Sequence, residues 1–188
     1  MASFEKAIPI ILKHEGGFVN HANDPGGATN YGISIRFLRG IPLIDADLDK
    51  DGDVDIEDIK NMTPEQAAEL YKKYFWDVNK YQNINDDTIA TKIFDMTVNM
   101  GAKRSHIITQ TALNKCFGTK LTTDGVLGPA TMGVINAIED DNEQIALTSI
   151  CEEQFAFYLR LVEQKPELKV FIKGWKRRAF SLSKANAL

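Results

Sequence analysis

Glu15 is followed by Gly16-Gly17, and after it comes the segment Asp24-Pro25-Gly26-Gly27-Ala28-Thr29-Asn30-Tyr31-Gly32-Ile33. Cleaving a glycosidic bond needs a carboxylic acid that donates a proton to the leaving oxygen. It also needs a second group that orients water or steadies positive charge on the sugar ring. Desolvation beside an apolar face favours the protonated form of a carboxyl, and a glutamate at a helix end next to a folded turn region is such a case. Asp24 is the candidate base or electrostatic partner, and Thr29 could hold a water. Glycines in this interval let backbone approach a bulky polysaccharide closely. By spacing alone the plainer reading stands beside this one: a glutamate near a glycine pair is common, and glycines make turns.

A second constellation runs from Asp47 to Asp58, Asp-Leu-Asp-Lys-Asp-Gly-Asp-Val-Asp-Ile-Glu-Asp. As a calcium loop, Asp47, Asp49 and Asp51 fall at positions 1, 3 and 5, with Gly52 at the sharp turn. Position 7 offers the Asp53 carbonyl, position 9 is Asp55, and position 12 is Asp58. The Asp at position 12, where an EF-hand usually carries Glu, resembles the dockerin variant of this loop. The alternative is an acidic solvated loop, but so many like charges in one turn repel unless a cation neutralises them. One structural calcium ion is therefore expected. His14 and His21 flank Glu15 without HExxH-type spacing, so zinc is not expected.

These residues need elements to hold them. Phe4, Ile8, Ile11, Leu12 and Glu15 share one helical face with Ser3 as a candidate cap. Pro9 breaks one hydrogen bond of such a helix, so its start is either near Ser3 or near Ile8. Gly16-Gly17 ends it. The Asn-, Asp-, Gly- and Pro-rich interval from Phe18 to Ser34 suits a small β-hairpin region. Thr63-Pro64-Glu65-Gln66 predicts a capped helix start with a capping box and proline at the first helical position. Leu70, Tyr71, Tyr74 and Phe75 form its apolar face. Further helices are expected over about 87–100, 104–116 and 142–164, with another starting at Gly128-Pro129. Asn99 and Asp95 either line the cleft or make structural hydrogen bonds; Trp175 either stacks on a sugar or anchors the last helix.

The 188 residues, 44% of them hydrophobic, suffice for one substantial core or two small ones. The net charge of −4 is uneven. Asp45 to Asp58 holds eight acids and one lysine, whereas Lys165 to the end holds seven bases and one acid. That basic segment is either a solvated helix face or a means of steering toward an anionic polymer. Cys116 and Cys151 fit no metal or redox pattern and read as buried thiols. No run reaches the ~18 apolar residues of a membrane span. The first residues make a poor signal peptide, so synthesis in a cytoplasm with no address of its own is expected.

The string EGGFVNHANDPGGATNYGIS resembles the amino-terminal signature of glycoside hydrolase family 108, the phage and bacterial N-acetylmuramidases. The likeness continues through MTPEQAAELYKKYFWD and FDMTVNMGAKR. It then passes to DGVLGPATM, FAFYLRL and FIKGWKRR, similar to that family's carboxyl-terminal peptidoglycan-binding-type segment. The resemblance implies a mainly α, lysozyme-like helical fold with a small β-hairpin region near the N-terminus. It implies a catalytic region over 1–95 and a helical peptidoglycan-binding-type region over 96–188. It further implies hydrolysis of the β-1,4 bond between N-acetylmuramic acid and N-acetylglucosamine, with Glu15 as the essential acid and Asp24 and Thr29 beside it. Phage lysozymes share a Glu, Asp, Thr arrangement with eight and five intervening residues; here the intervals are eight and four. Tyr31, Asn99 and Trp175 are the candidate substrate-binding residues. Peptidoglycan is the expected partner, with no nucleic acid, no stable membrane insertion and a monomeric state. An endolysin of this kind would be made in the host cytoplasm and reach the wall through a separate pore-forming protein. A lytic transglycosylase and a non-catalytic calcium-dependent interaction module are the alternatives.

Overall fold

The computed structural model describes residues 1–20 and 27–183. Among the described residues the chain is mainly α. In order it forms α1 (Phe4–Glu15), β1 (Thr29–Asn30), β2 (Ile33–Ser34), α2 (Ile35–Leu38), α3 (Leu43–Ala46), α4 (Ile56–Asn61) and α5 (Pro64–Tyr71). Then come α6 (Asp87–Met100), α7 (Ala102–Phe117), α8 (Pro129–Asn136), α9 (Asp140–Gln164) and α10 (Ile172–Ala179). No described helix is long and apolar enough to cross a membrane. Backbone proximity divides the chain into two compact units, Ile8–Val78 and Met1–Ala7 with Asn79–Leu188. The division expected after residue 95 lies within α6.

In the unit of Ile8–Val78, the start left open by Pro9 is resolved in favour of a helix beginning at Phe4, with Pro9 inside α1. Ile11, Ile33, Leu38, Ile59 and Leu70 supply much of the core, each worth about 1.5–3 kcal/mol when fully buried. The start of α5 follows the expected pattern. Thr63 Oγ1 accepts from Gln66 N at 3.2 Å, Gln66 Oε1 accepts from Thr63 N at 2.9 Å, and Pro64 opens the helix. At Tyr71 the helix widens into a π-turn, Lys72–Asp77, which buries Trp76.

In the other unit α6 packs on α7 and α9, and α7 and α10 both lie along α9. Phe4 meets the buried Phe94 with ring centroids 6.1 Å apart. Gly101, at φ +82, separates α6 from α7. His106 and Gln110 of α7 pin the loop before α8: His106 Nδ1 donates to Gly125 O at 3.0 Å, while Gln110 donates to Asp124 and Val126. A carbonyl can only accept, so Nδ1 carries the proton and Nε2 accepts from the Tyr81 hydroxyl at 2.8 Å. Burial pushes the His106 pKa down, in keeping with a neutral ring. Cys116 and Cys151 are both free thiols.

The last helix is anchored by charge inside the core. Arg178 of α10 reaches Asp95 of α6 through Nη2–Oδ1 at 2.9 Å and Nε–Oδ2 at 3.3 Å, and Asp95 has no exposed surface. Lys92, also fully buried, donates to Gln154 Oε1 at 2.6 Å and to the Ala179 carbonyl at the end of α10. Removing one partner of a buried pair strands the other charge. Asp95→Ala is therefore expected to cost about 3–5 kcal/mol, read from the shift in the chemical-denaturation midpoint. A loss under about 1 kcal/mol, the value of an exposed pair, would show that the contact anchors nothing.

Candidate functional site

Glu15 is the last residue of α1, and Gly16, at φ +77, turns the chain out of the helix. The chain returns at Val19, which exchanges two backbone hydrogen bonds with Thr29, both 2.8 Å. Thr29 therefore lies between two paired segments, Val19 on one side and Ser34 on the other. In the hairpin β1–β2, Asn30 pairs with Ile33, leaving Tyr31 and Gly32 as a two-residue turn. Both have positive φ, +48 and +77, as a type I′ turn requires. Asn30 is buried, and its side chain donates to the Ile59 carbonyl of α4 at 3.0 Å. Ser34 Oγ accepts from Phe37 N at 3.1 Å and caps α2. The hairpin is thus fixed at both ends.

Gly32 sits directly against Glu15. A methyl group on its Cα would lie 2.7 Å from Glu15 Oε2, 2.8 Å from Glu15 Cγ and 2.6 Å from the Tyr71 hydroxyl. That hydroxyl donates to the Tyr31 carbonyl at 2.8 Å. The glutamate, the hairpin turn and the buried end of α5 thus converge on one point. Periodicity alone places Tyr71 on the apolar face of its helix and assigns Gly32 no contact. A polar tip on a residue of an apolar face was the one available signal. Asp24 and His21 lie outside the described residues.

Residues 8–101 match the family described as glycosyl hydrolase 108, half of the chain. The chain belongs to that family. Residues 104–180 match a second family, described as a predicted peptidoglycan domain. As a glycosyl hydrolase 108 member with this second segment, the protein is a glycoside hydrolase acting on peptidoglycan. Among solved structures, that of Brucella abortus SagA is 23% identical, with 98% of each chain covered and a TM-score of 0.66. This is a likeness of fold. Comparison with curated proteins finds no match.

Within the glycosyl hydrolase 108 segment, the acidic loop brings its carboxylates together in two overlapping groups. Asp47, Asp49 and Asp58 form one, and Asp53, Asp55 and Asp58 the other; each group offers oxygens within 4.8 Å of one another. Asp51 joins neither group. Asp45 is engaged elsewhere, by Lys73 at 2.6 Å and the Tyr74 hydroxyl at 2.6 Å. These contacts hold its carboxyl below the usual range and push the Tyr74 hydroxyl up to about 12. Asp58 is buried and joins the two groups, accepting from Leu48 N at 2.7 Å and Asp55 N at 2.8 Å. Asp47 accepts from Gly52 N at 3.0 Å, with Gly52 at φ +104. Each ionised carboxylate keeps further lone pairs for a cation, so the donor set suits a hard, oxygen-seeking ion. Desolvation and the charge of Asp51 raise the Asp49 carboxyl, while Asp51 and then desolvation raise Asp53. Both shifts express crowding that a cation would relieve.

In the second segment, Trp175 stacks on Tyr158 (4.8 Å, 20°) and on Phe171 (5.7 Å, 29°). Asn99 accepts from the Tyr158 hydroxyl at 2.7 Å. The structure thus groups these two candidates around Tyr158, while Tyr31 belongs to the hairpin with Glu15.

Gly32→Ala is expected to cost about 2–4 kcal/mol, combining left-handed strain with overpacking. Gly16 shares φ +77 but has nothing within 4 Å of an added methyl. Gly16→Ala should therefore cost only the strain, about 1–2 kcal/mol. Equal shifts in the urea midpoint would show that the space above Gly32 is not tight.

Proposed function

We propose that the protein hydrolyses the β-1,4 bond between N-acetylmuramic acid and N-acetylglucosamine, with Glu15 as general acid. The convergence of Glu15 on Gly32 supports this reading, because it confines one carboxyl against the hairpin turn, where a glycine leaves room for it beside the Tyr71 hydroxyl. The Glu15 carboxyl gives its proton to the glycosidic oxygen as the C1–O bond breaks, and positive charge develops on the ring. Water then adds to C1, and Asp24 as carboxylate takes the water's proton, with Thr29 holding that water. Protons exchange with solvent to restore both groups. The exposed Lys173, Lys176 and Arg177 of α10 suit a wall that carries anionic groups. As an endolysin of phage type, the protein would be made in the host cytoplasm and lyse the cell once a separate pore-forming protein exposes the wall.

Glu15→Gln should keep the fold and lower wall digestion by roughly 10²–10⁴, since an amide is far too weak an acid to protonate the leaving oxygen. Mass spectrometry of the digest checks the chemistry together with the rate. Hydrolysis leaves a reducing muramic acid end, whereas a transglycosylase leaves an anhydro end one water lighter. A fully active Glu15→Gln with native circular dichroism would remove Glu15 from the mechanism, and anhydro ends would replace hydrolysis.

The acidic loop belongs to the same proposal as the seat of one structural calcium ion, held by Asp47, Asp49, Asp55 and Asp58 with the Asp53 carbonyl. Glycoside hydrolysis by carboxylates needs no metal, so the ion's contribution is order. An ion that binds only the folded form stabilises by about 2.7 kcal/mol at a hundredfold excess over Kd. Calcium should raise the melting temperature and a chelator should lower it, while Asp47→Ala with Asp49→Ala should respond to neither. Calorimetry that detects no calcium binding to chelator-treated protein would refute the site.

A further inference from the structure

Tyr71 is among the largest fully buried side chains, and its hydroxyl donates to the hairpin turn. It is the last residue of α5 before the π-turn, and its ring meets Phe75 edge-on at 5.3 Å. The acceptor of its hydroxyl is the carbonyl of Tyr31, which belongs to the central peptide of the turn. Rotation of that peptide is how a two-residue turn changes type. Tyr31 is a bulky residue at φ +48, a conformation that such residues seldom hold without support. The same hydroxyl stands 2.6 Å from the point above Gly32 that Glu15 Oε2 approaches to 2.7 Å. Tyr71 therefore touches both the peptide whose orientation defines the turn and the space that the carboxyl occupies.

We propose that Tyr71 is a positioning residue for Glu15, its hydroxyl locking the Tyr31–Gly32 peptide so that Gly32 seats the Glu15 carboxyl in a single place. This rests on Glu15 being the general acid. Without the hydroxyl the ring still fills the core, but the turn samples other orientations and the carboxyl loses its fixed seat. Small errors in the placement of a reacting group cost rate far more than binding. The effect should therefore fall on kcat.

The test compares full-length wild type, Tyr71→Phe and Glu15→Gln on purified peptidoglycan suspensions of graded concentration. Tyr71→Phe should lose about tenfold or more in kcat with apparent KM within about twofold, at a temperature where circular dichroism shows it fully folded. Placing 4-aminophenylalanine at position 71 restores a donor on the same ring and should recover most of the lost kcat. The double variant Tyr71→Phe with Glu15→Gln should be no slower than Glu15→Gln alone, because a positioning residue has nothing left to position. Wild-type kcat in folded Tyr71→Phe, or equal slowing of kcat in both backgrounds, would overturn the proposal. So would a loss that the amino analogue fails to repair. If Glu15→Gln itself digests the wall at the wild-type rate, it is the assignment of the acid that fails, and the Tyr71 proposal falls with it. Should Tyr71→Phe not fold, Tyr71→His offers a donor in a smaller ring, and the same kcat-against-KM split decides.

Discussion

The seat of the Glu15 carboxyl depends on missing volume at position 32. Glu15 Cγ and Oε2 occupy space that any side chain at position 32 would fill. Glycine at 32 therefore permits the contact, and its φ of +77 beside that of Tyr31 sets the turn as type I′. The turn sets the register Thr29 with Ser34 and Asn30 with Ile33. That register points Asn30 into the core, where it bonds the last turn of α4, and leaves Ser34 to cap α2. Glu15, Asn30 and Ser34 are thus all placed by one two-residue turn.

The same unit carries its largest electrostatic burden close by. Asp47 to Asp58 is shaped by backbone amides donating to carboxylates, most of all to the buried Asp58, which joins both halves of the loop. Gln66 extends the connection. Besides closing the capping box of α5, it donates from Nε2 to the Leu48 carbonyl at 2.9 Å. The helix that ends in Tyr71 is thereby tied at its start to the acidic loop. Whatever orders that loop also steadies the helix whose far end meets the hairpin turn.

Where α10 docks, the core itself is polar. Lys92 and Asp95 on α6 are fully buried and hold the Ala179 carbonyl and the Arg178 guanidinium. An apolar dock would leave a short, strongly basic helix free to slide, because apolar packing is non-directional. A bidentate charge contact has one geometry. Arg178 is spent inward on this anchor, while Lys173, Lys176 and Arg177 remain exposed.

The residues by themselves determined the elements whose signals are local. The capping box at Thr63–Gln66, the helix from Asp87 to Met100 stopped at Gly101 and the start at Gly128-Pro129 were all legible. Each depends on hydrogen bonds and φ preferences within a turn or so of chain. The mainly α class, the hairpin near the start and the family resemblance were legible for the same reason, as was Glu15 at the end of its helix. Tertiary structure alone decided where polar tips on apolar faces would go. Periodicity placed Tyr71 on a buried face, yet its hydroxyl acceptor lies 40 residues away in sequence. Nothing local marks Lys92 or Arg178 as cations that turn inward, and their burial follows from partners 62 to 87 residues distant. The helix through Pro9 was likewise undecided in the sequence, because a proline removes one hydrogen bond whatever surrounds it. The burial of Phe4, Ala7 and Ile8 offsets that loss. Hydrophobic pattern states which face turns inward, but a hydrogen bond needs its partner's coordinates, and those exist only once the chain has folded.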